Sequence, residues 1–178
     1  MLAERGTPDF VDASTPEHAA IQHTPSGMVC VLPGDGAVEF DTFPASASNA
    51  GAQCSSSQGE TVTAWVAVNF REATNLDAAF ASAMTQLTTG LEARPWPGRP
   101  SEADRSSPEG LPHYRINRFT AELNGERRYM RLAMAEKDGW YLQQIVSAPA
   151  SAAGETEEQA GVVWREGLHT FAAHNAAP

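Results

Sequence analysis

The sequence predicts an α+β domain, in which an antiparallel sheet of about five to six strands carries two main amphipathic helices. Three observations support this class. Short segments alternate apolar and polar residues as strands do, two longer segments repeat apolar residues every three or four positions, and Gly-containing turns separate the last three strands. The predicted order is therefore strands, helix, three-stranded meander, helix.

Size and composition are those of a single globular domain. The 178 residues are 42% hydrophobic and 19% charged, a balance typical of a folded chain. The net charge of −10 opposes binding to nucleic acid or to an anionic membrane surface. The sequence also lacks an apolar run of about 18 residues, the length that a membrane-spanning helix requires. We therefore expect neither a nucleic-acid partner nor membrane insertion.

The N-terminal region divides into an arm and the first strands. Residues 1–26 are rich in Pro, Ser, Thr and Ala, and we predict an irregular arm with one helical turn from Thr15 to Ile21. The single α+β domain then covers residues 27–174. Its first strands are predicted at 28–32, 38–43 and 61–70, with a turn at 34–36 and a loop of small residues at 44–51.

A helix follows the third of these strands. Asn75 or Thr74 can cap its N-terminus, Asp77 suits the positive end of its dipole, and Gly90 ends it. Its apolar stripe consists of Leu76, Phe80, Met84 and Leu87. Residues 92–112 then contain five prolines, which exclude a long helix or a central strand and predict a Pro-rich loop.

Three strands after this loop form a meander at 114–123, 127–136 and 140–148. Asn124-Gly125 is a strong signal for a two-residue hairpin, and it places Arg118 opposite Arg131. Residues 137–139 join the second and third strands. Continuing the alternation predicts a core face composed of Phe119, Met130, Leu132, Met134, Leu142 and Val146.

The last element is a helix that ends near His174. Thr156 and Gln159 form the pattern of a capping box, and Glu157 and Glu158 suit the first turn. Its buried stripe is predicted to contain Ala160, Val163, Trp164, Leu168 and Phe171.

The chain has two cysteines, Cys30 and Cys54, separated by 24 positions. They form a disulfide, two inert buried thiols or a reactive cysteine, and their placement in or beside candidate strands favours the disulfide. A disulfide implies an oxidising compartment, so we expect a periplasmic or secreted protein. The first residues do not resemble a signal peptide, and we therefore expect that an export signal has been removed.

No catalytic motif is present in the sequence. It contains neither a nucleophile elbow nor a phosphate-binding loop. The histidine pairs His18/His23 and His169/His174 are five residues apart, a spacing that separates the rings on a helix, whereas shared ligands need three or four. We predict no catalytic residue, no metal and no cofactor, and favour a protein that is not an enzyme.

The candidate binding residues lie in two places. Arg118 and Arg131 would repel one another across the meander unless they hold an anion or a partner's carboxylate, with Tyr129 beside them. The favoured alternative is that acids of the arm or of a helix cover the pair. In the Pro-rich loop, Trp96 and Arg99 are of the types enriched in binding hot spots, although we favour Trp96 folding back onto the domain.

The order of elements and the C-terminal helix resemble the PsbP-like superfamily, over roughly residues 26–174. The superfamily includes many uncharacterised bacterial envelope proteins, and the resemblance implies an α+β sandwich of that kind. Our first hypothesis for function is a non-catalytic binding or accessory module of the bacterial cell envelope, whose partner is an envelope protein or a small anionic ligand. The alternatives are a small enzyme whose site is not readable from sequence and a structural or oligomerisation domain.

Overall fold

A computed structural model describes residues 9–16, 19–32, 37–43, 49–70, 72, 74–106 and 110–174. These residues form two antiparallel sheets and three α-helices. The strands are β1 (Phe10–Asp12), β2 (Ala19–His23), β3 (Val29–Leu32), β4 (Ala37–Phe43), β5 (Asn49–Gln58), β6 (Thr61–Phe70), β7 (Arg94–Pro95), β8 (Tyr114–Leu123), β9 (Glu126–Lys137) and β10 (Trp140–Pro149). The helices are α1 (Leu76–Thr88), α2 (Glu102–Arg105) and α3 (Ala153–Ala173).

The main sheet has seven strands in the order β4-β5-β6-β10-β9-β8-β7, and β1-β2-β3 form a second sheet. Helix α1 packs on one face of the main sheet, against Met130 and Met134. Helix α3 and the small sheet pack on the other face, where Trp164 and Phe171 share a core with Cys30. The predicted α+β class and element order are confirmed, with more strands than expected and a third, short helix.

The segment predicted as an irregular arm contains β1 and β2 in its described part. Ile21 is buried in β2, where it lies opposite Cys30 of β3, so the predicted helical turn ending at Ile21 is wrong. The Pro16 signal for a helix start is local, whereas pairing with β3 satisfies backbone groups of residues 19–22. The predicted turn at 34–36 lies outside the described residues.

Strand β5 was missed because its residues are small and polar. The expected loop at 44–51 gives way to a strand that starts at Asn49 and pairs with β6 along its full length. Ser55, Ser56 and Ser57 therefore lie in a strand. Residues 44–48 lie outside the described part of the chain.

The meander has the predicted first hairpin and an unexpected second one. Arg118 pairs with Arg131, as Asn124-Gly125 predicts, and both turn residues have positive φ (54° and 82°). The second turn contains two residues, Asp138 and Gly139, because Lys137 pairs directly with Trp140. In a strand a shift of one residue moves every side chain to the other face. Leu142 and Val146 consequently lie on the α3 face, away from Met130, and the predicted core face is wrong for these two residues.

Helix α1 has the predicted cap, since the Asn75 side chain accepts a hydrogen bond from the Ala78 N–H. Helix α3 differs from its prediction. It begins at Ala153 after a 3-10 turn at Ala150–Ala152, so Thr156 is an interior residue and makes no capping box. The earlier start places Glu157 in the second turn, on the side that faces the sheet.

Candidate functional site

The first candidate is a charged cluster on the α3 face of the meander. Arg118 of β8 and Arg131 of β9 are cross-strand neighbours whose side chains point towards α3. Arg131 is fully buried and the Arg118 side chain is 15% exposed. Two acids cover them, Asp104 from α2 and Glu157 from α3, and both acidic side chains are buried. Acids from two helices therefore cover the arginine pair, which is the favoured alternative to an open binding site.

Each of the two acids contacts both arginines. Asp104 Oδ2 accepts hydrogen bonds from Arg118 Nη2 at 2.5 Å and from Arg131 Nη2 at 2.9 Å. Glu157 Oε1 accepts from Arg118 Nε at 2.6 Å, and Glu157 Oε2 lies 3.4 Å from Arg131 Nε. Two positive charges thus face two negative charges, which is the balance that a buried ionic group requires.

Neutral groups complete the cluster. The Tyr129 hydroxyl donates to Glu157 Oε2, and the Ser101 backbone N–H donates to Glu157 Oε1 at 2.9 Å. Arg131 Nη1 donates to the Gln144 side-chain oxygen. The Trp96 ring packs edge-on against Tyr129, with ring centroids 5.0 Å apart. The Pro-rich segment is therefore attached to the sheet by the Asp104 carboxylate and the Trp96 ring, and to α3 by the Ser101 backbone amide.

The electrostatics of the cluster favour the charged form of Asp104 and the neutral form of Tyr129. Burial by itself would raise the pKa of Asp104, but the charge and hydrogen bond of Arg131, the Ser101 hydroxyl and Arg118 outweigh it and lower that pKa. Burial and the adjacent Glu157 raise the pKa of Tyr129 well above its usual value. Neither group can exchange a proton easily at neutral pH, as a general acid or base must.

The structure brings together four of the five predicted binding residues: Arg118, Arg131, Tyr129 and Trp96. Arg99 lies exposed on the Pro-rich segment, outside the cluster. Sequence reasoning missed Asp104 and Glu157, although both left a signal. Ser101 and Asp104 have the spacing of a helix N-cap pair, and the Ser101 hydroxyl does accept from the Asp104 N–H. Glu157 precedes Ala160 and Trp164 at helical spacing, on the same buried stripe.

The second candidate is a groove between α3 and the strands β3, β5, β6 and β10. It consists of two cavities of about 200 and 230 Å3 that meet at Val31, Trp65 and Val163. The first is also lined by Ser56, Gln58, Thr61, Thr63, Gln144, Val146, Thr156, Gln159 and Ala160, and the second by Val29, Glu166, Gly167 and Thr170.

Uncharged groups dominate the groove. Aliphatic side chains and Trp65 form its apolar part, and Trp65 is held by stacking on Trp164 at 5.8 Å. Hydroxyl and amide groups form the remainder, and Glu166 in the second cavity is the only ionisable side chain among the lining residues. Thr156, which is 6% exposed, contributes to the lining of the first cavity. The groove can therefore offer hydrogen bonds to a ligand, with Glu166 as the one ionisable group in its lining.

Cys30 and Cys54 form a disulfide that joins β3 of the small sheet to β5 of the main sheet. Within the described ranges, no three His, Cys, Asp or Glu side chains are arranged to hold a metal ion. None of the helices in that part of the chain is both long and apolar enough to cross a membrane.

Comparison with known proteins adds little to this description. No family model and no curated protein matches the chain. A crystal structure of a protein of unknown function, PA94 from Pseudomonas aeruginosa, described as a putative regulator, is similar over 95% of this chain and 98% of its own. The two sequences are 12% identical and the TM-score is 0.30, values at which the likeness supports no inference about this chain.

Proposed function

We propose that this protein is a non-catalytic binding module of the cell envelope, and that the groove beside α3 is its binding site. The observation that carries the proposal is the contrast between the two candidate sites. The charged cluster is filled by the chain's own Asp104 and Glu157. The groove is open and lined mainly by neutral groups, with Glu166 as the one ionisable side chain among its lining residues.

The ligand that suits this groove is an extended, uncharged peptide segment of a partner protein. Each cavity is smaller than the roughly 300–1,000 Å3 of a site for a compact drug-sized ligand, whereas two adjoining cavities suit a narrow chain. Val29 and Val31 of β3 line the second cavity. Among the described residues, β3 pairs only with β2, so its other edge has backbone groups available to an added strand.

The envelope location rests on the cysteines. A disulfide between Cys30 and Cys54 persists in an oxidising compartment and is rare in the reducing cytoplasm. The disulfide supports a periplasmic or secreted location and our choice of an envelope protein as the source of the peptide. Membership of the PsbP-like superfamily remains part of the proposal.

The test is an NMR titration with capped peptides. Pools of uncharged, acidic and basic tetrapeptides, each acetylated and amidated, are added separately to the isotopically labelled protein. We expect the uncharged pool to shift amide resonances of β3, β5, β6 and the first half of α3. Shifts caused equally by all three pools, or located elsewhere, would contradict the assignment of the groove.

Two tryptophan substitutions on α3 provide a matched comparison. Val163 lines both cavities, so Val163→Trp fills the groove and is expected to abolish the shifts. Val162, its neighbour, is 50% exposed and lines neither cavity, so Val162→Trp should leave them unchanged. Circular dichroism checks that both variants are folded. Equal binding by the two variants would reject the groove as the site.

A further inference from the structure

We propose that Arg118 and Arg131 form a carboxylate-binding site, and that the chain occupies this site itself with Asp104, which latches the Pro-rich segment to the sheet. The proposal does not depend on the function proposed for the groove. It concerns a different place, where the anion expected from the sequence is supplied by the same chain.

The geometry is that of a ligand in a site rather than of two chance ion pairs. A single oxygen of Asp104 receives one guanidinium nitrogen from each arginine, at 2.5 and 2.9 Å. The arginines are held in place independently of Asp104, Arg118 by Glu157 and Arg131 by Gln144. Arg131 Nε is also buried and makes no hydrogen bond, which leaves one donor of the site unused.

The charge of the site selects a carboxylate. Without Asp104, two arginines would face Glu157 alone, and the buried cluster would have a net charge of +1. One monoanion restores neutrality, whereas a phosphate dianion would exceed it. Arginine guanidinium groups also match the planar shape of a carboxylate.

The segment that brings Asp104 has surfaces that fit this docked position. Gly161 of α3 faces Ser101, and a Cβ at Gly161 would lie 2.0 Å from the Ser101 hydroxyl oxygen. Arg165 of α3 donates to the Ser106 hydroxyl at 2.9 Å and to its carbonyl at 2.8 Å. The short helix α2 is thus gripped at both ends, with the Asp104 carboxylate between them in the arginine site.

Chemical rescue tests the proposal. Asp104→Ala removes the carboxylate and leaves a space of its size between the two arginines. We expect acetate to raise the Tm of this variant by several degrees and in a saturable manner, at constant ionic strength with chloride as the replaced ion. The wild-type protein should not respond, because a tethered ligand has a high effective concentration and excludes the free one. If Asp104→Ala is unfolded without acetate, recovery of its far-UV circular dichroism by acetate is the readout.

Two further variants separate a site from a general salt effect. Asp77→Ala breaks the pair with Arg115, whose side chains are 72% and 52% exposed, and should show no response to acetate. Asp104→Ala combined with Arg118→Met restores charge balance by removing one arginine, and should lose the rescue. An equal response of Asp104→Ala to acetate and to chloride, or rescue that persists in the double variant, would overturn the proposal.

Discussion

Arg131 occupies the middle of β9 with no exposed surface, where hydration no longer stabilises its charge. Loss of hydration costs several kcal/mol for each buried ion, and paired charges with good hydrogen bonds offset that cost. The surrounding acids and Gln144 provide this compensation. The exposed pair of Arg115 and Asp77 has a similar bond length, 2.8 Å, but remains in water. The two ion pairs have similar bond lengths, but only the one of Arg131 is buried. We therefore expect them to contribute unequally to stability.

Substitution of these two arginines by methionine tests the difference. Arg131→Met leaves Asp104 and Glu157 sharing a single arginine in a buried place, and we expect a loss of about 3–5 kcal/mol in the free energy of unfolding. Arg115→Met should cost no more than about 1 kcal/mol, because the pair that it breaks is exposed. Urea denaturation measures both. Similar losses in the two variants would mean that burial does not determine the energetics of the cluster.

His23 is a buried titratable residue of β2, and its side chain faces Trp140 of the main sheet. Its ring packs against Phe10 and Trp140, and its Nδ1 lies 2.7 Å from the Ser26 hydroxyl oxygen. Burial lowers the pKa of His23 from its ordinary 6.5; Asp9 opposes this shift and His174 adds to it. The unfolded chain therefore binds a proton more readily than the folded chain does.

Because the pKa of His23 is lower in the folded than in the unfolded chain, the protein loses stability as the pH falls. The stability associated with neutral His23 is fully present above pH 6.5 and decreases as pH falls from 6.5 towards the lowered pKa of the folded state. We expect His23→Asn, which keeps an acceptor near Ser26 but cannot become charged, to lose stability less steeply over this range. Urea midpoints measured across the window test it, with exposed His113→Asn as the control. Identical slopes for wild type and His23→Asn would contradict the assignment.

At the scale of single elements, the sequence predicts where the two turns of the meander lie, but it predicts the length of only one of them correctly. Asn124-Gly125 specified both the first hairpin and its register. The second turn was read as three residues, whereas Asp138 takes φ of 52° and Gly139 φ of 79°, so that Lys137 remains in its strand. A residue other than glycine is uncommon in the left-handed region, so the sequence does not indicate that Asp138 adopts it. Nor does the sequence show that Lys137 pairs with Trp140 and stays in its strand. One residue of turn length decided the face of β10.

Elements with little apolar periodicity could be recognised only from their partners. Strand β5 has the sequence NAGAQCSSSQ, and its pairing with both β4 and β6 stabilises it in place of a hydrophobic pattern. Strand β2 is likewise fixed by β1 and β3. The Arg118–Arg131 pair was predictable because it follows from one hairpin. Asp104 and Glu157 come from elements 14 and 39 positions away from Arg118, and a single sequence contains no measure of that proximity.

For the whole molecule, a shared apolar core and one disulfide join the two sheets. Phe10 and Ile21 of the small sheet, and Met28 just before β3, belong to the core that α3 shares with the main sheet. Cys30 and Cys54 connect the two sheets covalently inside this core, and both are buried. Val31, which borders the groove, is the residue after Cys30. Loss of the bond should therefore affect global stability and the local position of β3.

The disulfide makes a prediction that combines redox state, stability and binding. The bond closes a loop with a sequence separation of 24, for which chain entropy gives about 3 kcal/mol of stabilisation. We expect Cys30→Ala with Cys54→Ala to unfold at lower urea by that free energy, and to bind the uncharged peptide pool more weakly because β3 is less firmly held. Intact mass under non-reducing conditions establishes whether the wild-type protein contains the bond. A mass corresponding to two free thiols would remove the argument for an oxidising compartment, whereas the contrast between groove and charged cluster would stand, because neither site contains a sulfur atom.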